Sequence, residues 1–596
     1  MCTLKMAKKA DIIFYGGDII TMDEACTANI EAVAVASGII LAVGTLDEVF
    51  TYAGANTQVI YLNQQTLMPG FIECHQHAWA CVSVNSAFTV VGAMECRNFA
   101  EISSTMKNKL AALEPGCWAR FFGWDAELIP DAPTLSAAYL DANFSSTIPI
   151  LMIGQNGHVA WVNSIGLARL GIDENTENPP GGTIVRDKNG KPTGQLLENI
   201  AIHLLIDGDP DQGFDEIYES CKMQWRYYAS VGLTTVTDLA YNATEIKDKA
   251  LKKVADNDDC PVRVAVYHLK SVNESYDEES NAMSSYTEDD SAEKQRRDHD
   301  IGNYNGRLWV AGIKLIADGS PHCGTMATKE PYLFTPLTET LCFPKAPGYG
   351  NLNMENDALI RTVKHFHTKR KQIAIHAHGD RACEQVLTAY ETVFREHGEN
   401  DNRHRMEHLG LVTKEQLARA SKLKLALSFF VDHLRFYGLV YKTDIFGKRV
   451  NRWTPLSEAT KVGLKWTIHQ DHPAFPGKAN PFANMKTAIT RCTKDDPNTP
   501  YGPEYRVSID EALKAYTING AWQLHREKDL GSITVGKMAD LIVLSKNPYK
   551  VDPFDLETIN VVESFLEGRR NNFAVTRAIQ NSNIAVLQSI KHSPKA

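Results

Sequence analysis

Eight short runs of apolar and β-branched residues recur along the chain, separated by segments of helical character, and no other feature narrows the fold as much. They are LMPGFIE (67–73), LTTVTDLA (233–240), PVRVAVYH (261–268), LWVAGIKLIADG (308–319), KQIAIHAHGD (371–380), RMEHLG (405–410), KLALSFF (424–430) and LKWTIHQD (464–471). Eight strands alternating with helices is the count of a (β/α)8 barrel, so the expected class is α/β, a TIM barrel. The interval between the first and second runs is far too long for one crossover. Residues 85–230, with GWDAELIPDAPTL and GQNGHVAWVNS, are therefore expected to form a large insertion after strand 1.

The two ends differ from the middle. Residues 11–66 carry DIIFYGGDIITMD, AVAVASGIILAVG and TQVIYLN, short β patterns with the Gly-Gly and Ser-Gly punctuation of hairpins. Similar patterns return in GSITVGKMADLIVLS (531–545) and VVESFLEGRRNNF (561–573). One small β-sandwich built from both termini is expected. The divisions are then 1–66 and 529–574 for the sandwich, 67–84 for barrel strand 1, 85–230 for the insertion, 231–528 for the rest of the barrel and 575–596 for a tail. The hydrophilic stretch at 273–300 reads as a long loop.

With 72 acidic residues against 62 basic ones the net charge is −10, and the basic runs KMAKK and HTKRK are short. That balance speaks against a nucleic-acid footprint, which needs a concentrated basic face. No run approaches the roughly eighteen apolar residues of a membrane span, and the first residues hold no signal-peptide pattern. Twelve cysteines are scattered without a C-x-x-C pair, which suggests free thiols in a reducing compartment. The expectation is a cytoplasmic protein acting on a small molecule, with room for a homodimer.

Chemistry enters where the runs end. Strand side chains alternate faces, so His75 and His77, two apart at the end of the first run, point the same way and can share a metal ion. Lys314 lies within an apolar run, where an ammonium is costly unless paired or chemically changed. His376, His408 and Asp471 each stand where a run gives way to a loop, the face on which barrel active sites are built. Singly, each reads more readily as a hydrogen-bonded core residue than as a ligand. Together they are six nitrogen or oxygen donors from five strand ends, which converge only if the barrel closes. His378 shares a face with His376 and competes with it as a ligand. His404 and His469 read as hydrogen-bonded barrel residues, and Lys314 could instead pair with Asp318. His158 and Asn163, in the insertion, and His433, after the seventh run, are candidates for substrate contact, with structural roles as the alternative. Cys74 reads as a small buried residue.

The motifs MPGFIECHQH, GHVAWVNS, PTGQLLE, GLTTVTD, IKLIADGS, HAHGDRA, HRMEH, HQDHP and GSITVGKMADLIVLS together resemble the amidohydrolase superfamily. Within it the chain is similar to the amidohydrolase-3, YtcJ-like branch that includes N-substituted formamide deformylases. The resemblance implies that His75, His77, Lys314, His376, His408 and Asp471 hold one or two divalent ions, most often Zn²⁺. It also implies that Lys314 can be carbamylated into a bridging carboxylate and that Asp471 shuttles the proton. Glu73 departs from the commoner aspartate; Cys74, His322 and Cys323 are also departures, and they concern the surroundings of the site more than its ligands.

The expected activity is a metal-dependent hydrolase cleaving a non-peptide C–N bond of an amide or N-substituted formamide. The same site suits an esterase, a lactonase or a deaminase. A catalytically silent scaffold is the non-enzymatic alternative, and the competent side chain at every expected ligand position argues against it.

Overall fold

The computed structural model describes residues 8–26, 29–114, 116–129, 131–209, 212–270, 306–341 and 343–571. The hydrophilic stretch at 273–300 and the tail at 575–596 lie outside them.

All eight runs form strands of one parallel sheet. In chain order, barrel strands 1 to 8 are Phe71–Glu73, Leu233–Tyr241, Arg263–Leu269, Leu308–Ile316, Gln372–Ala377, Arg405–His408, Ala426–Phe430 and Trp466–His469. Each pairs with the next, and the sheet curls until strands 8 and 1 flank a seam. One backbone bond crosses there, His77 N–H to His472 O at 2.9 Å, and Ile72 N–H of strand 1 donates to Tyr516 O, at the end of the helix Ile509–Ala515, at 2.7 Å. The (β/α)8 reading is borne out.

Alternation along the strands sorts their side chains. On strand 5, Ile373, Ile375 and Ala377 pack outward against the helices, while Ala374 joins Ile72, Cys74, Tyr267 and Trp309 inside the barrel. Ala521, Leu524 and Leu530 close the floor beneath this interior cluster. Apolar packing fills much of the lower barrel, where the polar side chains are bonded to one another, as Tyr267 to Gln372 and Thr467 to Ser428, and the cluster of histidines lies at the upper, C-terminal end.

The insertion carries a six-stranded mixed sheet, in the order Gly182–Arg186, Pro192–Glu198, Val159–Val162, Ile150–Gly154, Ala119–Trp124, Thr89–Val90. The long helix Phe214–Ser230 falls within the span read as insertion but packs on the barrel. Ile217, Cys221, Trp225 and Tyr228 recur at helical spacing and join the main core.

The termini form two sheets. One has the order Ile39–Gly44, Ala32–Ala36, Ile12–Tyr15, Gln58–Tyr61; the other has the order Asp18–Ile19, Thr66–Pro69, Leu541–Leu544, Val561–Leu566, Arg569–Arg570. Phe14, Val33 and Val35 of the first meet Leu67, Leu541, Val543 and Phe565 of the second in a shared core. The run 67–73 divides at Gly70: Leu67–Pro69 pairs with the C-terminal strand Leu541–Leu544, and only Phe71–Glu73 enters the barrel. A side chain at Gly70 would meet Thr234 at 2.2 Å, so the chain can cross between the two sheets only without one.

Arg263, at the lower end of strand 3, ties sandwich to barrel. Its guanidinium is fully buried and donates to Asp540 at 2.7 and 3.2 Å, and it lies 3.0 Å from Glu567. Arg263→Ala leaves the Asp540 carboxylate without its buried guanidinium, while Glu567 keeps Arg307 at 2.7 Å, and is expected to destabilise the fold by about 3–5 kcal/mol, read as a fall in the denaturant midpoint.

Candidate metal centre

Strand ends 1, 5, 6 and 8 bring His75, His77, His376, His378, His408, His469 and Asp471 together at the upper end of the barrel. Three groups of three place their donor atoms within 4.8 Å of one another: His75–His77–Asp471, His376–His378–His408 and His75–His408–His469. Asp471 Oδ1 lies 3.1 Å from His75 Nε2 and 3.2 Å from His77 Nε2, and its Oδ2 lies 3.9 Å from His408 Nδ1. Burial pushes the Asp471 carboxyl up, but the imidazoles of His75 and His77 outweigh it and hold the group well below the usual carboxylate range.

His408 reaches this cluster by departing from strand alternation. Met406 packs outward, so Arg405 and Glu407 point inward and a regular His408 would point out. Instead His408 adopts φ +73° and Leu409 φ +55°. A left-handed conformation is costly for residues of this kind, and here it turns the imidazole into the site. Asp471 is also left-handed, with φ +57°.

The tautomers of two histidines are fixed by their outer partners. His75 Nδ1 donates to Glu407 at 2.5 Å, leaving Nε2 with a lone pair toward the cluster. His376 Nε2 donates to Gly319 O at 3.1 Å, leaving Nδ1 as its donor atom. Glu407 is itself gripped by Arg405 at 2.7 and 3.0 Å, and that guanidinium also bonds Tyr267 and Cys74 O. Burial would raise the Glu407 carboxyl, but Arg405 and His75 hold it far below its ordinary value. Neither Arg405 nor Glu407 was singled out by sequence reasoning. Their signal was an Arg-x-Glu pair with both members on the inward face of a buried strand.

Lys314 is buried, with Nζ 3.5 Å from His75 Nε2. Burial lowers its ammonium to about 8. The alternative pairing with Asp318 does not form. That carboxylate accepts the backbone N–H groups of Ala327, His378 and Gly379 at 2.8–3.0 Å, and burial raises it to about 7.

The remaining candidates separate. His158 stands at the mouth, its ring 5.3 Å from that of His376 and its Nδ1 2.8 Å from Glu198, a residue at φ +59°. His433 lies one ring behind His378, stacked on it at 5.1 Å, with Nε2 3.3 Å from His322. Asn163 is not at the site. Its amide donates to Ser145 O and Ile148 O and accepts from Ile150 N–H and Gly166 N–H, which caps the helix Ser164–Arg169. The side-chain amide is thus consumed by the insertion's own backbone. His404 is hydrogen-bonded as read, to His367 at 2.9 Å and to Ile373 N–H at 3.1 Å. His469 is not: it is fully buried, stacked on His75 at 4.3 Å, and neither ring nitrogen has a hydrogen-bond partner. A separate cavity of about 20 Å³ is lined by Trp124, Glu127, Trp161, His322 and Tyr437.

The donor chemistry suits a transition-metal ion. Buried ring nitrogens of His77, His378, His408 and His469 have no hydrogen-bond partner, and each such group costs roughly 1–3 kcal/mol unless something binds it. Imidazole with carboxylate is a donor set for Zn²⁺ and its neighbours.

The sequence model described as "Amidohydrolase family" matches residues 58–570. The chain belongs to the amidohydrolase family. Among family relatives it is 27% identical over 564 residues to "Putative amidohydrolase YtcJ" of Bacillus subtilis, covering 94% of this chain and 98% of that one. It is 27% identical over 581 residues to "N-substituted formamide deformylase" of Arthrobacter pascens, with the same coverage of 94% and 98%. An uncharacterized metal-dependent hydrolase from Pyrococcus horikoshii shares the fold, with a TM-score of 0.65 at 20% identity over 91% of this chain and 99% of that one.

Glu407→Gln keeps the shape of the His75 partner but removes its charge. Loss of such an outer partner typically weakens metal binding 10–100-fold, and that range is expected here, measured by competition with a coloured chelator.

Proposed function

We propose that this amidohydrolase cleaves a non-peptide C–N bond, of an amide or N-substituted formamide, at a divalent metal centre held by His75, His77, Lys314, His376, His408 and Asp471. The observation that carries the reading is the convergence of three donor triads within 4.8 Å at the upper end of the barrel. The likeness over nearly the full chain to a protein named as an N-substituted formamide deformylase supports the choice of bond.

A divalent ion bound there supplies Lewis acidity and lowers the pKa of a water to roughly 7. The chain's own residues do the rest. Asp471, kept ionised by His75 and His77, is placed to accept the proton of the attacking water and deliver it to the departing nitrogen, because an amine leaves poorly without one. Glu407 holds His75 in one tautomer and one orientation. Lys314 reaches the same imidazole, and carbamylation by CO₂ would turn its cation into an anionic two-oxygen donor. His158, braced by Glu198 at the mouth, is assigned to substrate contact, and so is His433, which backs His378. The insertion that carries His158 would set which acyl and amine groups fit.

Metal-loaded protein is expected to release primary amine from members of a panel of N-formyl and N-acyl amines, followed by an amine-reactive dye. The same panel carries matched esters, lactones and aminated rings. Turnover of those alone, with no amide or formamide cleaved, would contradict the proposal.

A further inference from the structure

Glu198 stands where the strand Pro192–Glu198 gives way to the helix Asn199–Ile206, yet its side chain does not cap that helix. Its backbone has φ +59° with ψ −128°, a region open to glycine and costly for a residue with a Cβ. The turn carries the carboxylate to two donors from different parts of the chain. Oε2 accepts from His158 Nδ1 at 2.8 Å, and Oε1 accepts from the Thr325 hydroxyl at 2.5 Å. Thr325 follows barrel strand 4, as does Gly319, where a Cβ would meet Glu198 Oε1 at 2.2 Å. The barrel loop therefore leaves a slot for this carboxylate, and Gly319 O, in the same slot, receives His376 Nε2. His158 and Glu198 also face each other one step beyond the Val159–Leu197 pair, and Glu198 N–H donates to His158 O at 2.8 Å. Ring and carboxylate are held together by backbone as well as by side chain.

We propose that Glu198 is the positioning residue of His158, and that the Nε2 it leaves at the mouth accepts the N–H of the scissile amide. The enzyme is then restricted to substrates that keep a hydrogen on that nitrogen. The inference rests on the C–N hydrolase reading above and narrows its substrate class to primary and secondary amides and N-monosubstituted formamides. With Nδ1–H committed to Glu198, the neutral ring offers a lone pair at Nε2, and among the described residues that atom has no hydrogen-bond partner. The His158 side chain is 15% exposed, so a substrate reaches it, and its ring lies 5.3 Å from that of His376. Burial makes the imidazole less basic and Glu198 makes it more so; the balance is upward, which strengthens Nε2 as an acceptor. With its hydrogen held by His158, the nitrogen keeps the electron pair freed by attack on the carbonyl for the proton that Asp471 delivers. Esters and N,N-disubstituted amides bring no such hydrogen and leave the acceptor unpaired, so discrimination follows from the same contact.

The test compares an N-monoalkyl formamide with its N-methylated partner on metal-loaded, full-length protein, reading kcat and KM separately from the release of formate. Wild type should favour the N–H member by roughly 10–100-fold in kcat/KM. His158→Phe, which keeps a ring at the mouth, should lose most of that preference, and so should Glu198→Gln, which keeps the shape and removes the charge. Glu198→Gln added to His158→Phe should change the preference no further, because Glu198 acts through the imidazole. A Glu198 that served structure alone would slow both formamides alike in either background. A folded His158→Phe protein with the wild-type preference would overturn the proposal, as would Glu198→Gln that leaves the preference intact. Wild type that cleaves both formamides equally overturns this inference alone. Wild type that cleaves esters but no formamide or amide overturns the C–N reading and this inference with it, so the two failures are distinguishable.

Discussion

A buried chain of charge runs from Arg405 through Glu407 to His75, and the upper end of the barrel is arranged around it. A carboxylate moved into the interior without partners would be uncharged or would unfold its surroundings. Here Arg405 grips both oxygens and His75 takes one of them, so Glu407 remains anionic with no exposure to water. The consequence is directional. With its Nδ1 proton committed downward, His75 must offer Nε2 upward, and that atom is the one Asp471 and Lys314 approach. The strand that supplies the buried ion pair also supplies His408, one residue further on.

That last step requires strain. A strand that points Glu407 inward should point His408 outward, and the left-handed turn at His408 and Leu409 resolves the conflict by a local cost of roughly 1–3 kcal/mol per residue. Asp471 and Glu198 also carry positive φ, +57° and +59°. Strained backbone, imidazole nitrogens without hydrogen-bond partners and a lysine with a lowered pKa all gather at the open end of the barrel. The lower end holds an apolar cluster and a few mutually hydrogen-bonded polar groups such as Gln372 and Tyr267, and is sealed by Ala521, Leu524 and Leu530. Stability and chemistry are assigned to opposite ends of one sheet, as the barrel architecture allows.

Much of this was legible in the residues. Strand count follows from periodicity, which is local, and all eight runs lie where apolar alternation placed them. The pairing of the termini was legible for the same reason, because both ends carry short β patterns that neither could bury alone. What escaped depends on contacts between distant segments. Glu407 looks like an ordinary strand residue until Arg405 and His75 are seen on either side of it. Asn163 resembles a mouth residue by its place beside His158, yet its amide closes four backbone bonds inside the insertion. His469 reads as a hydrogen-bonded barrel residue, but the rings packed around it are those of His75, His408 and Phe430, and none of them bonds it. The division of the first run at Gly70 needed the position of Thr234, more than 150 residues away in the sequence.

The claim on which everything else rests is that these strand ends exist to hold metal. Elemental analysis of protein purified without chelators tests it most directly. One or two divalent transition-metal ions per chain are expected, most of them zinc, removed by a strong chelator and recovered when Zn²⁺ is returned. A folded protein that carries no such ions and takes up none when Zn²⁺ is supplied would contradict it.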